Sequence, residues 1–313
     1  MQYRAAEFSG RPVLLIKSRM EINMSNPIIK GFYADPDIAC FNGRYYIYPT
    51  TDGGVEWNST YFKVFSSGDL KTWQDEGIIL DFKNVPWTGG SRAWAPAICE
   101  YKGKYYFYYS GNGNIGAAVC DTPTGVFTDK GAPLVRGGAY PGCAIDPDVF
   151  IDDDGKAYLY WGNGHMYAVR LNDDMMSFDG APMDITPPNF REGTCVFKRN
   201  GVYYYTWCED DTRSPNYHVR YGRGVSPMQK PEGNIVILSR DNAQDKRIKC
   251  TGHHAVLNVP GTDEWYICYH RFSTELFGDM EDYSTEAGNH RELCIDKMEF
   301  DENGDIIPVI ATM

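Results

Sequence analysis

Two Asp-Pro-Asp triplets, Asp35-Pro36-Asp37 and Asp146-Pro147-Asp148, and a lone acid, Glu192 in "NFREGTCVF", are the residues best suited to chemistry in this chain. Carboxyl groups gathered in one pocket can divide proton transfer between an ionised base and a protonated acid. Asp-Pro is a common turn opener, so either triplet alone reads as structure. Both copies, however, stand just ahead of an apolar strand, at matching places in a repeat. Within each triplet the first acid, Asp35 or Asp146, is the candidate, with the proline fixing the local backbone. Alternation along a strand turns the second, Asp37 or Asp148, in another direction or toward a backbone bond. Glu192 follows the Pro-rich loop "ITPPNF", and Gly193 after it permits close backbone approach to a ligand.

The elements that must position these acids recur along the chain. "FNGRYYIYPTT" is followed by "YKGKYYFYYSG", "DDDGKAYLYWG", "KRNGVYYYTWC" and "GTDEWYICYHR". Each is a polar turn leading into a strand of alternating aromatic and small residues, spaced as propeller blades are. Helical periodicity with caps is absent, and Pro and Gly punctuate throughout. The pattern predicts an all-β fold, a five-bladed β-propeller with an axial active-site pocket. A shorter strand precedes each aromatic one, and aligning them puts Asp35, Trp94-Ala95-Pro96, Asp146, Glu192 and His253 at equivalent places. If those strands line the axis, three carboxylates and a histidine face one pocket. Residues 25–313 read as one propeller, and residues 1–24 as an extension outside it.

Composition narrows the partner. A formal charge of −12 argues against nucleic acid and anionic membrane, and no apolar run is long enough to span a bilayer. Aromatic content of 14%, with 23 Tyr and 7 Trp, suits strands and carbohydrate surfaces. Nine scattered cysteines without a CxxC pair read as buried thiols rather than zinc ligands. With no clear secretory signal, a cytoplasmic enzyme is expected.

The ordered set "GFYADPDI", "WAPAI", "AIDPDVFIDDDGKAYLYWG", "REGTCVFKRNGVYYY", "TGHHAV" and "NHRELCIDKMEF" resembles glycoside hydrolase family 43 from about residue 26 onward. The resemblance implies that Asp35 is the general base, Glu192 the general acid, and Asp146 the residue that orients the acid and tunes its pKa. It also implies a calcium or channel histidine at His253 and a sugar-contacting arginine at Arg291. Inverting cleavage of an acetal calls for an acid and a base about 6.5–9.5 Å apart. A third carboxylate would raise the pKa of the acid by like-charge repulsion.

Other signals are discounted. "GNGNIG" (111–116) lacks the helix a dinucleotide site needs, and "DDDG" (152–155) lacks the spacing of a calcium loop. Of His253 and His254, at most one reaches the channel, and the family pattern favours His253. A calcium ion there would be mostly water-coordinated. Phe32 and Trp94 are candidate sugar platforms, whereas Trp73 reads as core or rim packing. The expected activity is release of pentoses from xylo- or arabino-oligosaccharides, as β-xylosidase, α-L-arabinofuranosidase or both. An endo-arabinanase and a non-catalytic sugar-binding propeller are the alternatives.

Overall fold

The computed structural model describes residues 25–281 and 284–313; the expected extension, 1–24, lies outside them. The first sheet contains β1 (Tyr33–Phe41), β2 (Arg44–Thr51), β3 (Tyr61–Ser67) and β4 (Gln74–Asp81). The second contains β5 (Trp94–Tyr101), β6 (Lys104–Gly111), β7 (Asn114–Cys120) and β8 (Thr128–Asp129). The third contains β9 (Asp148–Ile151), β10 (Ala157–Trp161), β11 (Tyr167–Arg170) and β12 (Met183–Asp184). The fourth contains β13 (Glu192–Arg199), β14 (Val202–Glu209), β15 (His218–Gly224) and β16 (Glu232–Leu238). The fifth contains β17 (Gly252–Asn258), β18 (Trp265–Phe272), β19 (Arg291–Phe300) and β20 (Ile306–Ile307). Each is an antiparallel meander in chain order. First strands touch first strands around a closed circle, β1 to β5, β9, β13, β17 and back to β1. The fold is the expected five-bladed β-propeller.

The aromatic texture of the second strands follows from this geometry. Alternate side chains of a strand point to opposite faces, and here both faces are buried against a neighbouring blade. On β6, Phe107 and Tyr109 join Phe62 and Phe82 between blades one and two, while Tyr108 joins Leu159 and Trp161 between blades two and three. Clusters of the same kind fill the three remaining gaps. Tyrosine fills such a gap and can satisfy its hydroxyl at the edge. Tyr48, Tyr108 and Tyr160 donate to the carbonyls of Pro123, Met175 and Pro227 at 2.7–2.8 Å. Trp161 is core as well, and Trp73 packs in the cluster between blades five and one. The first and last described segments meet on blade five, where Ile295 N–H donates to Asn26 Oδ1 (3.0 Å) and Asn26 Nδ2 to Thr312 Oγ1 (3.0 Å).

A second regularity lies at the start of the inner strands. Asp35, Ala95, Asp146, Gly193 and His253 have φ of 46°, 41°, 57°, 64° and 29°, one left-handed residue per blade. In β1, β5, β13 and β17 the pairing register shifts at this point, the mark of a bulge. For a non-glycine residue such a conformation costs roughly 1 kcal/mol or more and persists only where its surroundings hold it. The hold comes from the preceding blade. Thr50 Oγ1 accepts the Ala95 N–H (2.7 Å), Ser110 Oγ that of Asp146 (2.9 Å) and Cys208 Sγ that of His253 (3.0 Å). His270 Nδ1 accepts the Asp35 N–H (3.2 Å) and closes the circle. Blade three breaks the pattern. Gly162 occupies the place of the capping residue and is required there, since a Cβ would stand 1.8 Å from the His165 carbonyl oxygen. Gly193 N–H donates instead to Asp146 Oδ2 (3.3 Å).

Candidate active site

The bulges put chemistry at one end of the axis. In an antiparallel blade the start of the first strand pairs with the end of the second, as in Glu192 with Cys208 and Gly252 with His270. The loops leaving each second strand therefore open on the same face. Together they enclose a cavity of about 300 Å³ lined by Asp35, Trp57, Trp94, Ile145, Asp146, Arg191, Glu192, Asp211, Thr212, Arg213, His253 and Arg291. Six of the seven residues singled out from sequence, Asp35, Asp146, Glu192, Trp94, His253 and Arg291, are brought together here.

The register of one differs from expectation. Glu192 is not the equivalent of Asp35 and Asp146; Gly193 is, by its left-handed φ and shifted register. Glu192 stands one residue earlier, where blade two has Trp94 and blade three Ile145, and both of those line the cavity too. Gly193 itself faces protein: a Cβ would stand 3.1 Å from Cys208 Sγ and 3.3 Å from His253 Cγ. Its role is the bulge rather than an approach to ligand.

Phe32 is not part of the cavity lining. Its ring meets His290 edge-on, centroids 4.8 Å apart, and the Gly53 backbone closes over it so tightly that a Cβ there would be 2.9 Å from Phe32 Cδ2. Trp57 lines the cavity along with Trp94, whose Nε1 donates to the Trp57 carbonyl (2.6 Å).

The carboxyl groups sit in different electrostatic surroundings. Asp35 is 7% exposed, and burial alone would raise its pKa. The Arg291 guanidinium, first among the groups that favour the charged form, outweighs that and holds it well below the usual carboxylate range. Arg291 Nη1 donates to Asp35 Oδ1 (2.9 Å) and its Nε to Asp52 Oδ2 (2.9 Å). Asp35 is therefore ionised whenever the protein is folded at ordinary pH.

Glu192 goes the other way. Burial raises its pKa, Arg191 and the Tyr217 hydroxyl lower it, and Asp35 and Asp211 raise it again, for a net upward shift. Asp146 is raised well above the ordinary value by burial first and then by Glu192 and Asp35. A third carboxylate, Asp146, was expected to raise the pKa of Glu192; burial is the first cause, and the like charges that add to it are Asp35 and Asp211. Both carboxyl groups resist ionisation, as acids buried in one site do.

The second acids of the triplets bond to backbone as expected. Asp37 Oδ2 accepts the Ile98 N–H (2.6 Å) and Asp148 Oδ2 the Val196 N–H (2.8 Å). The two histidines diverge, also as expected: His253 faces the acids, while His254 Nε2 meets Thr206 Oγ1 at 2.6 Å.

The calcium expectation fits this site poorly. A hard cation takes six to eight oxygens, whereas His253 offers nitrogen and its Nδ1 faces Asp35 Oδ1 at 3.4 Å and Asp146 Oδ2 at 3.7 Å. Asp35 Oδ1 is committed to Arg291, and Asp146 Oδ2 to Gly193. Among the described residues no three His, Cys, Asp or Glu side chains group to hold a metal ion.

Sequence reading missed the residues contributed by loops and by the rear of the wall. Arg191, Asp211, Thr212 and Arg213 line the cavity, and Asn163, Tyr217, Asp52 and His270 bond to its charged groups. The polar loop "EDDTRSPN" after an aromatic strand was the available signal, since loops after second strands share the bulge face.

The model of glycosyl hydrolases family 43 matches residues 24–306. The chain belongs to that family. A β-D-galactofuranosidase of Aspergillus niger is 37% identical over 315 residues, covering 96% of this chain and 89% of its own. The solved α-L-arabinofuranosidase of Clostridium thermocellum has a TM-score of 0.71 at 31% identity, covering 89% of this chain and 94% of its own. A β-xylosidase/α-arabinofuranosidase from a compost metagenome, solved with xylotriose in a calcium-free form, superposes with a TM-score of 0.75. At 24% identity, covering 92% of this chain and 97% of its own, it shares the fold. The chain is thus a family 43 glycosidase.

Proposed function

We propose that this family 43 glycosidase is an inverting exo-acting furanosidase that removes terminal α-L-arabinofuranosyl groups. Asp35 acts as base, Glu192 as acid, and Asp146 holds the acid in place. The observation that carries the reading is the contrast inside one cavity: Asp35 is kept ionised by the Arg291 guanidinium it accepts from, while burial favours the protonated forms of Asp146 and Glu192.

In that scheme Asp35 takes a proton from a water as its oxygen bonds to the anomeric carbon. Glu192 gives its proton to the glycosidic oxygen as the bond from that carbon breaks on the opposite face. Solvent then restores both groups. Arg291, fixed by Asp52, Asp35 and Thr212, keeps one Nη2 N–H for a sugar hydroxyl, and Trp57 and Trp94 offer apolar faces. No step runs through calcium.

A cavity of about 300 Å³ is at the lower end for small-molecule sites and suits one terminal sugar better than a threaded chain. The furanoside preference is supported by the relatives at 31% and 37% identity, both named for furanosides. The galactofuranosidase gives the second reading. β-D-Galactofuranose has the ring configuration of α-L-arabinofuranose and one added hydroxymethyl group on its exocyclic carbon.

Initial rates on aryl α-L-arabinofuranoside, β-D-galactofuranoside and β-D-xyloside test the assignment. Arabinofuranoside should give the highest kcat/KM, and proton NMR should show the inverted anomer first. A xyloside preference, or rapid viscosity loss on arabinan, would replace this reading with a xylosidase or an endo-arabinanase. No sugar release from any substrate would indicate a binding protein.

A further inference from the structure

Behind the cavity wall, a buried strut connects the two carboxyl groups that must stay a set distance apart. Tyr217 ends the loop between β14 and β15 and is fully buried. Its hydroxyl donates to Glu192 Oε1 at 3.0 Å. Its ring stacks on His270, centroids 5.7 Å apart and planes 12° from parallel. His270 Nδ1 in turn lies 3.1 Å from Asp35 Oδ1. The ring also lies against backbone: a Cβ on Gly252, the cross-strand partner of His270, would stand 2.2 Å from Cδ1 and Cε1 of the ring. Asn163 Nδ2 donates to Glu192 Oε2, so each oxygen of the acid has its own protein donor and the carboxyl plane is fixed.

We propose that Tyr217, stacked on His270 and packed against the Gly252 backbone, is a positioning residue that holds the Glu192 carboxyl in line with the leaving oxygen and at a fixed separation from Asp35. This rests on the reading of Glu192 as acid and Asp35 as base. A hydroxyl on a rigid ring suits the task, because a flexible donor in its place would let the acid swing with the substrate. The ring cannot retreat from Glu192 without displacing His270, which borders the base, so movement at one carboxyl is opposed at the other.

The groups facing Glu192 are Arg191 beside it, Asp211 and Tyr217 from the loop after β14, Asp35 on β1, and Asp146 ahead of β9. Among them the Tyr217 hydroxyl favours the ionised form. Its removal should therefore let the acid keep its proton to higher pH, even as the acid is held less well.

Tyr217→Phe keeps the ring, the stack and the packing, and deletes only the donor. The expected result is a roughly 10–100-fold lower kcat on a substrate with a sugar or alkyl leaving group, which needs protonation. Loss should be about 3-fold or less on a dinitrophenyl glycoside, which does not, with little change in KM. The alkaline limb of kcat/KM should move to higher pH. Equal losses on both leaving groups with an unmoved limb would overturn the proposal and leave a packing role only. Gly252→Ala, which pushes the ring itself, should show the same leaving-group contrast; its melting curve reports whether it folds. Wild-type protein inactive on every furanoside and xyloside would instead defeat the underlying reading.

Discussion

The Gly193 amide donates to Asp146 Oδ2 at 3.3 Å, so a carboxyl group on blade three holds the backbone residue next to Glu192 on blade four. Elsewhere in the circle a neutral or thiol side chain caps the bulge. Only here, where Gly162 leaves the place empty of a side chain, does an ionisable group from the cavity take over. The orienting role proposed for Asp146 would act through this backbone contact.

Asp146→Asn keeps an oxygen to accept that N–H and removes the ionisable neighbour. The kcat should fall roughly 10–100-fold, and the alkaline limb of the pH profile should move to lower pH. The sign follows from like charges: with no second carboxyl to compete, Glu192 loses its proton more readily. Asp146→Ala removes the acceptor as well and should cost more. Full pH–rate profiles on an arabinofuranoside check this, and an Asn variant within twofold of wild type at every pH would falsify it.

The roles of base and acid separate by leaving group. Asp35→Asn should cost roughly 10²–10⁴-fold on all substrates, since every one needs an activated water. Glu192→Gln should cost as much on an oligosaccharide and far less on a dinitrophenyl glycoside. Because the pKa of Asp35 is depressed, the acidic limb of the wild-type profile should not come from its titration above pH 4. Steady-state rates for the two variants on both substrates decide the assignment, and identical patterns would reverse it.

The blade count was legible because aromatic residues must fill both faces of every second strand, and that texture repeats without gaps. The first acid of each triplet was legible because Pro36 and Pro147 mark the bulge. Glu192 was placed one register late: its bulge is made by a glycine, which carries no side chain to align. Phe32 was assigned to the cavity by proximity to Asp35, yet the backbone turns between them and its ring goes to His290. Tyr217, His270 and Asp52 were invisible because nothing local sets them apart. Tyr217 is one of 23 tyrosines, and its use depends on a stack with a residue 53 positions on.

Asp37 should cost the fold stability at neutral pH. Its carboxyl group is enclosed, although the residue keeps some exposure. Burial lifts its pKa from 3.8 to about 6, against the amides of Ile98 and Ile38. The folded state then binds more protons than the unfolded one between about pH 4 and 6, so stability falls as pH rises through that window. The lift corresponds to about 3 kcal/mol above pH 6 and to none below pH 4. Asp37→Asn preserves an acceptor for the Ile98 N–H and removes the charge. It should raise Tm by a few degrees at pH 7.5 and leave it unchanged near pH 3.5. Calorimetry at the two pH values checks it, and a lower Tm at pH 7.5 would show that the charge is compensated.

The cross-blade caps should separate stability from catalysis. Thr50→Val and Ser110→Ala each leave a buried N–H unpaired, of Ala95 in one case and Asp146 in the other, at a cost of about 1–3 kcal/mol. The losses in Tm should be similar, because Thr50 and Ser110 are both fully buried and hold equivalent bulges. Their kinetic consequences should differ. Ala95 adjoins Trp94, whose indole lines the cavity without reacting, so Thr50→Val should raise KM and spare kcat. Asp146 carries the carboxyl group that braces the backbone beside Glu192, so Ser110→Ala should lower kcat by about tenfold or more, as small misplacements of a reacting group do. Melting curves and initial rates for the two variants supply the comparison. Equal effects on kcat would mean that the bulges act as one cooperative ring, and unchanged Tm in both would mean that water replaces the caps.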